Sequence, residues 1–488
     1  MLTYSLDNRK GMSLYDYIYT CIKDDILNGR ITANDRLPSK RSFAKNLGVS
    51  VITIENAYSQ LLAEGFIYAV EKRGYFAADI SENTEHIRYR EIQNDVQSDM
   101  QNDSHEYEKP DLGAEGNISA QTQLIVDFAN NAVNTEKFPF SQWSKIMRNV
   151  LSAADDRLLR SAPVKGIYEL REAIAGYLYN FRGLNVSPEQ IVIGSGTEYM
   201  YGILIQLLGH DKVFAMEDPG YVKVSKILEG NCVAYHRIPI DSAGMEFCEL
   251  EKTDANIVHL TPSHHFPSGT VMPIQRRMEF INWAMKADDR FIIEDDYDCE
   301  FRLQGKPIGT MFERDMNGKV IYMNTFSKTL APSFRISYMV LPVKLLRIYE
   351  EKLGYMSCTV PNIEQFTLAK FMSEGYFERH INRMRVYYRS QRNEILDAIH
   401  NSSLNGKCQI LEEHAGLHFL LKINTEISDE ELVKCALEKG MRITCLNDYS
   451  VYRRRENEHI LILNYSGIRF EEIKESINML ADVVAFLK

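Results

Sequence analysis

The chain has 488 residues, 45% of them hydrophobic and 25% charged, and a net charge of −11. That length exceeds one small core and points to two or more domains, and the composition excludes wholesale disorder, collagen and small disulfide scaffolds. The acidic balance argues against a whole-molecule nucleic-acid binder but leaves room for one DNA-binding module.

The first residues lack the basic flank and apolar stretch of a signal peptide. The first predicted element is a helix over 13–28, with Leu14, Tyr17, Ile18, Cys21, Ile22 and Leu27 near one face and Gly29 behind it. Ser39 caps a predicted helix over 40–47 that ends at Gly48, and Ser50 caps one over 51–64 that ends at Gly65. In the latter, Ile54, Ala57, Tyr58, Leu61 and Leu62 follow helical spacing and face a core. Val51, Ile52, Thr53 and Asn56 are left near the exposed N-terminal end. F-I-Y-A-V, E-K-R-G and Y-F-A-A then read as a hairpin with a basic tip. Two short helices, a tight turn and a hairpin make a winged helix-turn-helix over residues 1–80. Its candidate DNA contacts are Ser39, Lys40, Arg41, Ser50, Ile52, Thr53, Asn56, Lys72 and Arg73. A small helical domain with a surface hairpin is the plainer alternative on this pattern alone.

Residues 81–125 carry a charge of about −7 and few large apolar side chains, which predicts an acidic flexible linker. From 126 to 488, apolar runs alternate with amphipathic stretches. Strands are expected at 191–194, 213–216, 257–260, 291–293, 320–323 and 336–341, with a helix over 168–181. That alternation predicts an α/β domain with a largely parallel sheet. No run of about 18 apolar residues suggests a membrane span, and the eight cysteines, with no C-x-x-C, read as reduced thiols of a cytosolic protein.

Four segments of the second domain carry chemistry. In I-V-I-G-S-G-T-E, Ser195, Gly196 and Thr197 follow a strand and open a helix, which suits a phosphate, although a tight turn needs glycine as well. E-D-P-G-Y places Tyr221 at a strand end, where it can stack on a flat ligand or pack a loop. F-I-I-E-D-D-Y-D ends a strand in carboxylates. Asp295 can hold a pyridinium N–H and Tyr297 can donate to a phenolic oxygen. A divalent metal on Glu294, Asp295, Asp296 and Asp298 is disfavoured, because alternation splits them between faces. T-F-S-K-T-L-A-P-S-F-R sets Lys328 in a hydroxyl-rich loop, where desolvation favours a Schiff base, with Thr325, Ser327 and Arg335 available to a phosphate.

Two resemblances bear on these motifs. P-S-K-R, L-G-V-S, T-I-x-x-A-Y-x-x-L, E-G-F and R-G-Y-F, over residues 10–78, resemble the winged helix of GntR-family bacterial regulators, with Val51 where that family often has arginine. From about Val126 onward the chain resembles the fold-type I aminotransferases, which use pyridoxal 5'-phosphate (PLP). The shared motifs include F-P-x-x-x-W (138–143), T-P-S-H-H-F-P-S-G (261–269), S-K-T-L-A-P (327–332) and A-G-L-H (415–418). The two halves joined in this order resemble the MocR/GabR regulators.

The resemblance implies a large parallel-sheet α/β subdomain and a smaller C-terminal α+β subdomain. Lys328 becomes the Schiff-base lysine, Asp295 the partner of the pyridine nitrogen, Tyr297 that of the ring hydroxyl and Tyr221 the stacking ring. Ser195, Gly196, Thr197, Thr325, Ser327 and Arg335 become phosphate candidates. Lys223 stands where members that bind an amino-acid carboxylate can carry arginine, and Arg442 is a further candidate for that carboxylate. His264 and His265 read equally as polar lining or packing and as catalytic groups. Phe266 occupies the place of an asparagine that bonds the ring oxygen in many aminotransferases, so transamination is expected to be weak or absent.

The expected function is a cytoplasmic bacterial regulator, at the nucleoid when bound to operator DNA. It would be PLP-dependent, sensing an amine, an amino acid or PLP itself through Lys328, with no metal and no membrane. It would work as a homodimer, head to tail, each winged helix over the partner's large domain. The alternatives are an active aminotransferase with an appended DNA-binding domain, and a DNA-binding protein whose PLP fold only dimerises it.

Overall fold

Ser39 and Ser50 accept the backbone N–H of Ser42 (3.2 Å) and Thr53 (3.1 Å), so both short N-terminal helices start where a hydroxyl satisfies first-turn amides. The computed structural model describes residues 4, 12–70, 73–79, 125–130, 133–303, 305, 307–413 and 416–486. Almost all of the expected linker, and Lys72 at the wing tip, lie outside the described residues.

The N-terminal module comprises α1 (Leu14–Leu27), α2 (Lys40–Leu47), α3 (Val51–Ala63) and the antiparallel pair β1 (Ile67–Val70) and β2 (Gly74–Ala77). Ile18, Ile22, Phe43, Ile54, Ala57, Tyr58 and Leu61 form its core, as the helical spacing predicts. One correction concerns α1: Leu27 is exposed, and Tyr19 and Ile26 take the buried positions.

The second unit opens with β3 (Val126–Asp127), α4 (Phe140–Ser152), α5 (Tyr168–Arg182), β4 (Ile191–Gly194), α6 (Thr197–Leu208), β5 (Phe214–Asp218), α7 (Val222–Gly230), β6 (Tyr235–Asp241) and β7 (Gly244–Met245). Then come α8 (Phe247–Leu250), β8 (Ile257–Leu260), α9 (Ile274–Met285), β9 (Phe291–Asp295), α10 (Met311–Arg314), β10 (Val320–Thr325) and β11 (Ser337–Val340). After α11 (Val343–Leu353) and α12 (Asn362–Ser373), α13 (Tyr376–Asn401) leads to the C-terminal elements. These are β12 (Cys408–Leu411), β13 (His418–Ile423), α14 (Asp429–Glu438), β14 (Met441–Arg442), β15 (Ile460–Asn464) and α15 (Ile473–Phe486).

The large sheet has the order β4-β11-β10-β9-β8-β5-β6-β7. Its centre, from β10 to β6, is parallel; β11 runs against both β10 and β4. Its apolar strands are buried on both faces, as parallel strands under helices must be. A smaller antiparallel sheet, β12-β13-β15, carries α14 and α15 in the C-terminal subdomain, and β14 pairs in parallel with β3. The winged helix lies against the large domain of its own chain: Ile274 of α9 belongs to the N-terminal core.

Candidate functional site

β5, β8, β9 and β10 end at one edge of the large sheet. β4 ends there too, because it and β10 are each antiparallel to β11 between them. Open α/β sheets bind ligands outside such carboxyl ends. The segments leaving this edge carry Ser195–Thr197, Tyr221, residues 261–269, Tyr297 with Asp298, and Lys328; Arg335 arrives just before β11.

Part of the edge is an anion cradle. Gly196, with φ 92°, precedes α6, and the Arg335 guanidinium lies so near that a Cβ at 196 would fall 2.5 Å from Nη2. Arg335 is itself left-handed, with φ 51°. Backbone N–H groups at a helix start beside a guanidinium fork suit a phosphate. Glu198, in the first turn of α6, pairs with both Arg335 and Lys223. Burial acts to raise its carboxyl, but hydrogen bonds from Lys223, its own backbone and Arg335 hold it down at about 2. Lys223 thus stands at the phosphate end of the site. Ser195 exchanges bonds with the Thr359 hydroxyl at 2.8 and 3.2 Å. The Thr325 hydroxyl donates to Ser327 (3.0 Å) and accepts from Ser337 (2.9 Å), which ties down the loop ahead of the lysine.

Burial pushes the Lys328 amine down to about 8, against the pull of the Asp298 carboxylate. Asp295 closes β9 with Oδ2 3.6 Å from Nε2 of His259 on β8. The neighbouring acids diverge. Glu294 accepts the N–H groups of Met311 (2.8 Å) and Phe312 (2.9 Å), Asp296 accepts from Arg182 (2.6 Å) and Tyr322 (2.8 Å), and Asp298 meets His264 at 2.7 Å.

Tyr221 is exposed, with its ring edge-on to Phe266 at 6.0 Å. Phe266 also meets His418 (5.4 Å) and Tyr449 (5.2 Å). The turn before Tyr221 is gripped by the C-terminal subdomain: Asp218 accepts from Ser450 (2.7 Å) and the Val451 N–H (3.0 Å), and Gly220 donates to Tyr449 (3.1 Å). Arg442 lies on β14 and is paired with Asp127, Nε to Oδ1 3.0 Å. His265, bonded to Ser268 at 2.7 Å, is pushed down by burial and sits in the wall beside the site. Sequence reasoning missed Glu198 and Asp218, although the quoted motifs contain both, and it missed His259 and His418.

Among the residues the sequence offered as DNA contacts, Ile52 is 67% exposed at the start of α3, next to exposed Asn56 and Ser50 and half-buried Thr53. Arg41, Ser39 and Arg73 are exposed as well. Lys40 is engaged, 2.7 Å from Glu55 and 5.6 Å from the centre of the Tyr75 ring.

Residues 124–469 match the family described as aminotransferase class I and II, and residues 14–76 match the bacterial regulatory proteins of the gntR family. The chain is 35% identical, over 98% of both chains, to YdeL of Bacillus subtilis, described as an uncharacterized HTH-type transcriptional regulator. It is 29% identical to MocR of Rhizobium meliloti, a probable rhizopine catabolism regulatory protein, over 97% of this chain and 94% of that one. Among solved structures it is similar to a kynurenine aminotransferase of Pyrococcus horikoshii, with a TM-score of 0.66 and 25% identity, covering 75% of this chain and 92% of that one.

Proposed function

The chain belongs to the aminotransferase class I and II family and carries a gntR-family winged helix ahead of it, as MocR-type transcriptional regulators do, and from that premise we propose that it holds PLP at Lys328 and reads an amine, an amino acid or PLP itself there. The observation that carries this reading is the convergence of a half-buried lysine and the Gly196–Arg335 cradle on one sheet edge. The residues fit the group. The cradle leaves no room for a Cβ, Asp295 ends the neighbouring strand, and Tyr221 presents an exposed ring.

When bound, PLP supplies an aldehyde carbon that exchanges amines and a ring that draws electrons from the adjoining bonds. Arg335 and the N–H groups opening α6 bind the phosphate. Asp295 holds the proton on the ring nitrogen, Tyr297 donates to the ring hydroxyl, and Tyr221 stacks on the ring. With its amine at about 8, about one Lys328 in ten is uncharged at pH 7, against roughly one in three thousand for an ordinary lysine. Lys328 is therefore primed as a nucleophile and as a proton carrier.

In a regulator that exchange need not turn over. The loop carrying Tyr221 is tied to the C-terminal subdomain through Asp218, and the segment after β8 leads straight into α9, on which the winged helix rests. Occupancy of the site would bias how these bodies pack. Lys223 and Arg442 are both paired with carboxylates, so an effector carboxylate has to compete with Glu198 or Asp127 for them. With Phe266 in the asparagine position, transamination would be weak or absent. We place the protein in the cytoplasm, at the nucleoid when DNA-bound, as a homodimer contacting operator DNA through α3 and the wing, with each winged helix resting on its own chain's α9 rather than over the partner's large domain. No helix among the described residues is long and apolar enough to cross a membrane.

The test is the visible absorbance of purified protein loaded with PLP, before and after borohydride and then with a panel of amines. A band abolished by borohydride, with the label on Lys328, supports the reading, and the amine that perturbs the band nominates the effector. A colourless protein that PLP cannot reconstitute would sink it.

A further inference from the structure

We infer that Asp298, which the sequence offered only as a disfavoured metal ligand, is a positioning residue of the cofactor site: it holds His264 against Tyr297 and presents its charge to Lys328. The inference rests on the PLP reading of the preceding section.

The geometry begins with the pair itself. The Asp298 carboxylate and the His264 ring are both almost fully buried and lie 2.7 Å apart, Oδ2 to Nδ1, a charge-assisted distance. A carboxylate oxygen accepts in that bond, so Nδ1 carries the hydrogen. The Tyr297 hydroxyl lies 3.2 Å from the same Nδ1. With that nitrogen already donating to Asp298, Tyr297 cannot give it a proton. Tyr297 instead keeps its proton: burial, and then the Asp298 charge, push the phenol well up. A phenol held protonated is the donor that a ring hydroxyl or ring oxide needs.

Packing fixes the same arrangement. His264 stacks between the rings of Tyr297 (5.9 Å, 22°) and His418 (4.8 Å, 26°). The backbone of Gly416, in A-G-L-H, passes directly over the pair. A Cβ there would fall 2.2 Å from Cε1 of His264 and 2.8 Å from Oδ2 of Asp298. That close approach explains the glycine of a motif the rest of the site leaves without a role.

Asp298 also dominates the charge at the lysine. Among the titratable groups around the Asp298–His264 pair, His265 and His418 are pushed down by burial, while Tyr465 and Glu412 are pushed up by it. Asp295 faces His259. Asp298 is the carboxylate that opposes the desolvation of Lys328.

The test uses the full chain loaded with PLP and follows visible absorbance against pH. Asp298→Asn keeps the size and still accepts from His264 but removes the charge. Losing a negative charge disfavours the cationic form of the lysine-linked chromophore. The expected result is a titration midpoint lower by about one pH unit or more. Asp298→Glu should recover part of the shift, which a packing role alone would not produce. If Asp298→Asn does not melt cooperatively, His264→Gln replaces it. With the imidazole's hydrogen bond to the carboxylate gone, more of the negative charge is left to act on the lysine, and the midpoint should rise. Midpoints within about 0.3 unit of the parent protein in the folded variants would overturn the inference while leaving the PLP reading intact. A parent protein that takes up no PLP would overturn both.

Discussion

The carbonyl of Glu64, just past the end of the recognition helix, accepts the N–H of Ile274, the first residue of α9, at 3.0 Å. Around that bond Ile274 enters the winged-helix core, and Gly65 approaches Pro273 so closely that a Cβ would fall 2.8 Å from the proline Cβ. Three residues further on, Arg277 donates to the carbonyls of Pro262 (2.6 Å) and Gly309. Pro262 belongs to the segment that carries His264 and Phe266. One helix start therefore touches both the DNA-binding module and the wall of the ligand site.

Weakening that seam should loosen the module selectively. Ile274→Ala removes a large-domain side chain from the winged-helix core and is expected to cost about 2–4 kcal/mol. Gly65→Ala adds strain at φ 75° as well as the clash. Amide exchange in α1–α3 should accelerate in both variants while β9 and β10 stay protected. Equal protection throughout would show that the seam contributes nothing to the module's stability.

Operator affinity should depend on which cations are already committed. Arg41 is exposed, whereas Lys40 is held by Glu55. Arg41→Ala is expected to weaken binding and to reduce the salt slope by about 0.9 for each phosphate that the arginine neutralises. Lys40→Ala should do less, and Glu55→Gln should tighten binding by freeing Lys40. Fluorescence anisotropy at several salt concentrations would read all three. Ile52→Ala should leave the salt slope unchanged, because an apolar side chain against a base releases no counterion.

The phosphate cradle makes a pair of opposite predictions. Gly196→Ala sets a methyl against Arg335 at φ 92° and should weaken PLP binding by about tenfold or more. Glu198→Gln removes a carboxylate that occupies Arg335 and would repel a phosphate, so binding should tighten several-fold. Equilibrium titration with PLP measures both. A Glu198→Gln protein that binds more weakly than the parent would remove Arg335 from the phosphate site.

Much of the frame was legible because its causes are local. Ser39 and Ser50 cap the helices they were expected to cap, since a hydroxyl and the amides it satisfies are three residues apart. The runs at 191–194 and 257–260 are strands with those same bounds, because short, mostly apolar runs have a doubly covered sheet to enter. What stayed hidden depends on distant partners. Glu198 is 137 residues from Arg335, and Asp218 is 232 from Ser450. Nothing in either local sequence marks which partner the fold will bring. Lys223 and Arg442 looked like cations waiting for a carboxylate, and the fold had already supplied one to each. Phe266 could be read as a missing asparagine, but not that Asp298 and His264 stand behind Tyr297.

The buried acids under the sheet predict a pH dependence opposite to ordinary acid denaturation. Burial, reinforced by the Asp296 charge, pushes the carboxyls of Glu294 and Glu300 up from 4.5 to about 7. The folded chain thus binds these protons more tightly than the unfolded chain. The stability they contribute is fully present below about 4.5 and is lost as pH rises through about 7. Glu300 is the cleaner probe. It accepts the Tyr177 hydroxyl at 3.1 Å, and a glutamine can keep that bond while remaining neutral at every pH. Denaturant unfolding of the parent protein should show stability falling between pH 5 and 8, with Glu300 responsible for up to ~3 kcal/mol of the loss. In Glu300→Gln that part of the fall should disappear, leaving the variant relatively more stable at pH 8 than at pH 5. If the two proteins lost equal stability over that interval, Glu300 would not be the proton-binding group, and the fall would have to come from Glu294.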